Sequence, residues 1–160
     1  MTEHILDILL VEDNPADAEL TLRALQNSDP GPTVEVVGDG AEALDFLFHE
    51  GAYAGVGHGV PRLILLDLKL PKTDGLEVLL HMRADARTRH IPVVMLTSSA
   101  EDRDLIEAYR RGVNSYVVKP FNFRKGCEVM CHIVGYWLHL NEYPKLEALW
   151  SALRRPAGNS

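Results

Sequence analysis

The chain has 160 residues, enough for one domain with a modest extension and too few for two full-sized domains. Hydrophobic residues make up 46% and charged residues 24% of it, the balance of a globular protein that can bury a core. Its 16 Lys and Arg face 23 Asp and Glu, so the formal charge is −7. This charge argues against nucleic acid as a direct partner.

The apolar runs are short, and none has the pattern of a signal peptide or a membrane span. We therefore expect a cytoplasmic protein that does not bind a membrane. The chain has two cysteines, Cys127 and Cys131, spaced as neighbours on one helical face. With His132 they lack a fourth ligand at a spacing that would complete a tetrahedral metal site, so we expect ordinary helix packing.

Short apolar runs alternate with segments of helical spacing along the chain, a pattern typical of parallel strands joined by crossover helices. The predicted strands are residues 5–11, 33–37, 63–66, 91–96 and 113–118. The predicted helices are residues 16–26, 41–49, 76–83, a fourth that ends near 111, and 123–140. We therefore predict an α/β fold, a doubly wound five-stranded parallel sheet flanked by five helices.

Two local patterns refine the helices. In the first helix, Leu20, Leu22 and Leu25 are expected to supply much of the buried side. Ser98 and Glu101 fit a capping box at the start of the fourth helix, which Gly112 is expected to end.

The last residues are interpreted as a separate segment, with a domain over residues 1–141 and a C-terminal extension over 142–160. Pro144 can begin a short helix, on which apolar residues recur at i, i+3, i+4 and i+7: Leu146, Leu149, Trp150 and Leu153. A helix this short is not stable alone in water, so its apolar stripe needs a partner. We favour a dimer contact over an intramolecular patch and expect residues 154–160 to be frayed.

Polar residues end the predicted strands, where ligands of doubly wound sheets bind. They are Glu12 and Asp13 after the first strand, Asp67 after the third, Thr97 and Ser98 after the fourth, and Lys119 after the fifth. Carboxylates this close repel one another unless a cation neutralises them, and Mg²⁺ prefers such hard oxygen ligands.

A carboxylate, a divalent ion and an ammonium together suit phosphoryl transfer to a side chain. Asp67 is the preferred nucleophile because it stands alone at the end of the central aliphatic strand. Asp13 and Asp67 would bind Mg²⁺ directly, Glu12 through water, and Lys119 would neutralise the phosphoryl group.

Four segments resemble the receiver domain of two-component response regulators, in order and over roughly residues 5–140. They are Ile8–Asn14, Leu65–Pro71 with Asp74 and Gly75, Val94–Ser98, and Tyr116–Phe121. The resemblance implies a flavodoxin/CheY-like fold and a phosphoprotein whose phosphoaspartate forms on Asp67. It also implies further roles: the Lys69 backbone carbonyl in the Mg²⁺ shell, phosphoryl contacts from Thr97, Ser98 and Lys119, an aromatic switch at Tyr116, and a cis peptide before Pro120.

The chain lacks room for a DNA-binding output domain after the receiver, so we expect a stand-alone regulator. The wide second loop around Tyr53 and the segments Tyr136–Leu138 and Asn141–Pro144 are similar to small regulators paired with bacterial and cyanobacterial phytochromes. This narrower resemblance implies a sensor histidine kinase, a bacteriophytochrome, as phosphodonor and a homodimer formed through the extension.

Three alternatives were weighed. A dehalogenase-like phosphatase needs an aspartate two residues after its nucleophile as general acid, and Lys69 stands there. A flavodoxin-like nucleotide binder needs a Gly-rich loop after the first strand, which is absent. A receiver-like interaction module that acts without phosphorylation stays the alternative. We therefore do not expect an enzyme. The protein would catalyse only its own phosphorylation and slow dephosphorylation.

Overall fold

The computed structural model describes residues 6–28, 31–120, 122–144 and 152. One sheet of parallel strands has the order β2-β1-β3-β4-β5. Its strands are β1 Ile8–Val11, β2 Val34–Val37, β3 Leu63–Leu66, β4 Val93–Thr97 and β5 Ser115–Val118. The helices are α1 Pro15–Gln26, α2 Gly40–Phe48, α3 Gly75–Ala84, α4 Asp102–Arg110 and α5 Phe123–Val134. The predicted α/β fold is confirmed, and most predicted strands were one to three residues too long at their amino ends.

The strand order reverses direction beside β1, because the chain goes from β1 to β2 on one side and returns to β3 on the other. In a doubly wound sheet this reversal leaves a crevice at the carboxyl ends of the two central strands. The residues that follow β1 and β3 therefore face each other.

The core lies on both faces of the sheet, and every residue of β1, β3 and β4 is buried. Alternate residues point to opposite faces, so Leu9 and Ile64 belong to one apolar cluster while Ile8 and Leu63 belong to the other. Continuous aliphatic strands of this kind are expected where helices cover both faces. Packing on both faces holds the strand ends, and the polar residues after them, in fixed positions.

Four of the five helices begin at an Asn or Asp side chain that accepts backbone N–H groups: Asn14, Asp39, Asp74 and Asn122. The exception is α4, where the predicted capping box of Ser98 and Glu101 is wrong. Glu101 makes no capping hydrogen bond from its side chain, and Ser98 is exposed. The next serine acts instead: Ser99 Oγ accepts from the Glu101 N–H at 3.3 Å and donates to Asp104 Oδ2 at 2.6 Å.

The helix predicted over residues 123–140 changes character near its end. It is α-helical to Val134 and continues as a π-helix over Gly135–Leu140. There the Arg62 guanidinium donates to the Leu138 carbonyl at 2.7 Å, and the Tyr143 hydroxyl donates to the Trp137 carbonyl at 2.6 Å. These side chains satisfy carbonyl oxygens that the last turn of the helix leaves without a backbone donor.

A second correction concerns α1. Leu25 is fully buried as predicted and Leu22 is partly buried, but Leu20 is 48% exposed. Leu20 lines a cavity between α1 and α5 instead of the core.

The predicted stripe of Leu146, Leu149, Trp150 and Leu153 lies outside the described residues, so the dimer contact and the domain boundary at residue 141 stay predictions. Within the described ranges, none of the helices combines the length and the apolar character needed to cross a bilayer.

Candidate functional site

Two buried carboxylates face each other at the crevice between β1 and β3. Glu12 follows β1 and Asp67 follows β3, and the two residues are 5% and 9% exposed. The Glu12 N–H donates to the Val37 carbonyl and the Asp67 N–H to the Val11 carbonyl, both at 3.1 Å. The sheet hydrogen bonding thus continues past the strands and fixes the backbone of both acidic residues.

Asp13 completes an acidic cluster with Glu12 and Asp67. Each of the three carboxylates offers an oxygen, and these atoms all lie within 4.8 Å of one another. Asp13 is exposed, so the cluster opens to solvent on its side. Three hard oxygen donors at this spacing suit a divalent cation that keeps several water ligands. The donor set predicted from the sequence is therefore brought together.

Lys119, after β5, supplies the positive charge of the site. Its Nζ lies 2.7 Å from Glu12 Oε2 and 3.0 Å from Asp67 Oδ2. Its backbone N–H donates to the Thr97 carbonyl at 2.7 Å, which ties the residue to the end of β4. The ammonium thus bridges the two buried carboxylates, as a group that neutralises charge on Asp67 must.

The pKa values of Glu12 and Lys119 depend on their burial and on the hydrogen bond between them. Desolvation raises the pKa of Glu12 to about 7, against the opposing effect of the hydrogen bond from Lys119. Burial by itself would lower the pKa of Lys119, but the hydrogen bonds to Glu12 and Asp67 outweigh it and raise that pKa. Lys119 is therefore a permanent cation, whereas burial favours the protonated form of Glu12.

Sequence reasoning missed Asp17, whose Oδ2 lies 3.5 Å from Lys119 Nζ. Asp17 stands in the first turn of α1, four residues after Asp13, which precedes the helix. No local spacing signals its contact with Lys119, because the contact depends on how α1 is placed against the connection between β5 and α5.

The β3–α3 connection shapes the other side of Asp67. The Lys69 N–H donates to Asp67 Oδ1 at 3.2 Å. A Cβ on Gly75 would lie 2.1 Å from the Asp67 carbonyl oxygen, so only glycine permits α3 to begin this close. The role of the Lys69 carbonyl as a metal ligand stays a prediction.

The predicted switch residues form a hydrogen-bonded chain beside the site. Thr97 is 1% exposed, and its Oγ1 accepts from the Ser99 N–H at 3.2 Å. The Tyr116 hydroxyl donates to the Ser99 carbonyl at 2.9 Å, so Tyr116 and Thr97 hold the same residue. Ser98 is exposed. The phosphoryl contacts of Thr97 and Ser98, the switch role of Tyr116 and the cis peptide before Pro120 stay predictions.

The comparison with protein families gives the class. Residues 8–130 match the model of the response regulator receiver domain, and the chain belongs to that family. It is 46% identical over 138 residues to the probable methanogenesis regulatory protein FilR2 of Methanothrix harundinacea, covering 86% of each chain. It is 38% identical over 137 residues to the response regulator Rcp1 of Synechocystis, covering 86% of this chain and 92% of Rcp1.

Solved structures agree. The phosphorylated cyanobacterial phytochrome response regulator RcpA is 40% identical with a TM-score of 0.81, over 88% of this chain and 99% of RcpA. The Mn²⁺-bound form of Rcp1 is 37% identical with a TM-score of 0.79, over 88% and 99%. The bacteriophytochrome response regulator RtBRR is 46% identical with a TM-score of 0.71, over 98% and 99%. The resemblance to phytochrome-associated response regulators is thus confirmed, and the acidic cluster has the donors that could hold a divalent cation.

Proposed function

We propose that this protein is a response regulator that accepts a phosphoryl group from a sensor histidine kinase onto Asp67, with Mg²⁺ as cofactor. The observation that carries the proposal is the placement of the Asp67 carboxylate between an acidic pair and the Lys119 ammonium. The pair can hold the metal and the ammonium can neutralise the incoming group. Both are needed where charge builds up on a transferring phosphoryl group.

Asp67 fits the role of nucleophile better than its neighbours. Glu12 is more deeply buried, and its Oε2 is held by the Lys119 ammonium at 2.7 Å, so it is less accessible to an incoming phosphoryl group. Asp13 is exposed, and Lys119 forms its ion pairs with Glu12, Asp17 and Asp67 instead. In the transfer, a P–O bond forms on Asp67 as the P–N bond of the donor phosphohistidine breaks. The imidazole leaves and takes its proton from water.

Mg²⁺, when bound, screens the carboxylates and holds phosphoryl oxygens in line. Asp13 and Asp67 would bind it directly, Glu12 through water, with the Lys69 carbonyl as a further ligand. The Mn²⁺-bound form of Rcp1 supports a divalent ion of this size class. The protein would catalyse its own phosphorylation and slow dephosphorylation and no other reaction.

The switch would start at Thr97. A phosphoryl group on Asp67 carries about 1.5 to 2 negative charges and strong acceptor oxygens, in place of the single charge of the carboxylate. Thr97 Oγ1 now accepts from the Ser99 N–H, and turning its hydroxyl toward those oxygens would break that bond. Ser99 is also held by Tyr116, so the aromatic side chain would be released and turn inward. A local charge would thus bias a two-state element.

The donor class follows from the relatives. RcpA and RtBRR are described as phytochrome regulators, which supports a bacteriophytochrome kinase as the donor for this chain. We further propose a cytoplasmic protein that binds no nucleic acid and forms a homodimer through residues 142–160. Analytical ultracentrifugation of the full chain and of Trp150→Asp tests the dimer, since a charge on the apolar stripe would leave only monomer.

Intact mass after incubation with acetyl phosphate, with and without Mg²⁺ and with rapid quenching, tests the phosphoacceptor. We expect one phosphoryl adduct on the wild type that requires Mg²⁺ and disappears in Asp67→Asn. Asp102→Asn, an exposed aspartate in the first turn of α4, is the matched control and should keep the adduct. An adduct on Asp67→Asn would overturn the assignment. No adduct on any quenched sample would favour the interaction module that acts without phosphorylation.

A transfer assay tests the donor. A bacteriophytochrome kinase, autophosphorylated with ATP, should transfer to this protein faster than a histidine kinase of another sensor class. Equal rates would contradict the phytochrome pairing and leave the phosphoacceptor untouched.

A further inference from the structure

Helix α1 brings a fourth carboxylate to the site, that of Asp17. Its Oδ2 lies 3.5 Å from Lys119 Nζ, farther than the 2.7 Å to Glu12 and the 3.0 Å to Asp67. The Asp17 side chain is 45% exposed, whereas those of Glu12 and Asp67 are 3% and 11% exposed. Of these partners of Lys119, Asp17 is the most loosely held and the best hydrated.

The ammonium group has three protons to donate, and the structure directs it at three carboxylates. Phosphorylation moves the negative charge of the Asp67 side chain onto phosphoryl oxygens that lie farther out, so Lys119 must shift toward them and weaken its contact with Glu12 or with Asp17. Releasing Glu12 would leave a buried carboxylate without its cation, which is costly. Releasing Asp17 returns an exposed carboxylate to water, where its charge is already well solvated.

We infer that Asp17 is a positioning residue for phosphoryl transfer. Before transfer it holds one proton of the Lys119 ammonium, and it yields that proton when the phosphoryl group arrives. This inference rests on the proposed phosphorylation of Asp67. Its consequence is that Asp17 stabilises the unphosphorylated state and opposes binding of a phosphoryl group.

The same ion pair stands at the mouth of the cavity between α1 and α5. That cavity has a volume of about 130 Å³, and Asp17 and Lys119 both line it, with Leu20 from α1 and Phe123 and Gly126 from α5. Exchange of partners at Lys119 breaks the ion pair that joins α1 to the connection between β5 and α5. The state of Asp67 is therefore transmitted to this cavity by a route that does not pass through Thr97 and Tyr116.

The affinity for beryllium trifluoride, a phosphoryl mimic, measured by calorimetry with Mg²⁺ present, tests the inference on the full chain. We expect Asp17→Asn to bind the mimic about threefold more tightly than the wild type, the effect of losing one exposed competing ion pair. Glu19→Gln is the matched control: it removes the same charge from α1, where Glu19 pairs with the exposed Arg23 at 2.7 Å. It should bind as the wild type does, and Asp17→Glu should restore wild-type affinity.

A second readout separates positioning from charge. In the wild type, the mimic should shift the backbone amide resonances of Leu20 and Gly126, and in Asp17→Asn these shifts should shrink while that of Ser99 persists. Equal affinities of Asp17→Asn and Glu19→Gln, or weaker binding by Asp17→Asn, would overturn the inference. If the wild type neither binds the mimic nor takes a phosphoryl group, the proposed function itself fails.

Discussion

Lys119 and Arg83 are partly buried cations at opposite ends of the sheet, and their surroundings differ. Lys119 lies at the carboxyl ends of the strands among carboxylates. Arg83, in the last turn of α3, lies at the amino ends and donates to neutral oxygens: the carbonyls of Gly112, Arg89 and Ile91 and the side chain of Asn114, each at 2.9 Å.

The difference separates function from stability. The charges around Lys119 can change, because a metal, a proton or a phosphoryl group alters the demand on its donors. The acceptors around Arg83 are fixed backbone and amide oxygens, and Asn114 Oδ1 also accepts from the Val93 N–H at 2.8 Å. Arg83 therefore joins α3 to the entries of β4 and β5, and burial lowers its pKa without making it titratable. A cation among carboxylates can take part in chemistry, whereas a cation among carbonyls holds segments together.

Loss of Lys119 should have the largest effect of the substitutions predicted from this comparison. Lys119→Met removes the ammonium that neutralises charge on the transferring group, so phosphorylation by acetyl phosphate should slow about 100-fold. Quenched time courses of intact mass measure the rate. Lys125→Met is the control, because Lys125 is exposed on α5 and pairs with Glu128 at 3.4 Å. A near wild-type phosphorylation rate in Lys119→Met would contradict a role for Lys119 in phosphoryl transfer.

Loss of Arg83 should affect stability alone. Arg83→Met leaves several carbonyl oxygens without their donor, and we expect the free energy of unfolding to fall by about 2–3 kcal/mol. Denaturant unfolding measures this value. Phosphorylation of the folded fraction should keep its rate, and Arg83→Lys should recover only part of the stability because an ammonium cannot reproduce the planar fork. A slowed phosphorylation rate in Arg83→Met would show that the two ends of the sheet are coupled.

The same comparison explains how much could be predicted from the sequence. Glu12, Asp67 and Lys119 follow strands, and the carboxyl ends of parallel strands meet, so their position along the chain sufficed. Arg83 gave no such signal, because an arginine in the last turn of a helix usually lies on the surface. Its role depends on carbonyls contributed by two later connections.

Other misses have similar causes. Recognising Asp17 required the rotation of α1 relative to Lys119, 102 residues away along the chain. The Leu138 carbonyl at the end of the π-helix accepts from Arg62, 76 residues earlier in the chain. Local patterns cannot contain such contacts. The prediction of the α4 cap failed for a different reason. Two adjacent serines, Ser98 and Ser99, satisfy nearly the same sequence pattern, and it is Ser99 that donates to the carboxylate of Asp104.

The smallest predicted effect concerns Tyr53. Its hydroxyl is a neutral hydrogen-bond donor, in contrast to the cations of Lys119 and Arg83. Its hydroxyl donates to Glu42 Oε1 at 2.8 Å. Burial, together with the hydrogen bond and charge of Glu42, raises the pKa of Tyr53 to about 12 from an ordinary value of 10. Because the protonated phenol is the favoured form, its contribution to stability is complete below pH 10 and is lost as the pH rises through 12. Since Tyr53 is only partly buried, that contribution should stay below about 1 kcal/mol.

Tyrosinate absorbance measures this ionisation as the difference between the wild type and Tyr53→Phe. The difference should show almost no tyrosinate at pH 10.5, where an ordinary tyrosine is mostly ionised. Glu42→Gln is the informative control, because it removes the charge and keeps the burial, so the pKa of Tyr53 should fall only part of the way toward 10. An ionisation already half complete near pH 10 in the wild type would mean that water solvates the phenolate freely. The hydrogen bond to Glu42 would then contribute nothing to holding the segment around Tyr53, between α2 and β3, against α2.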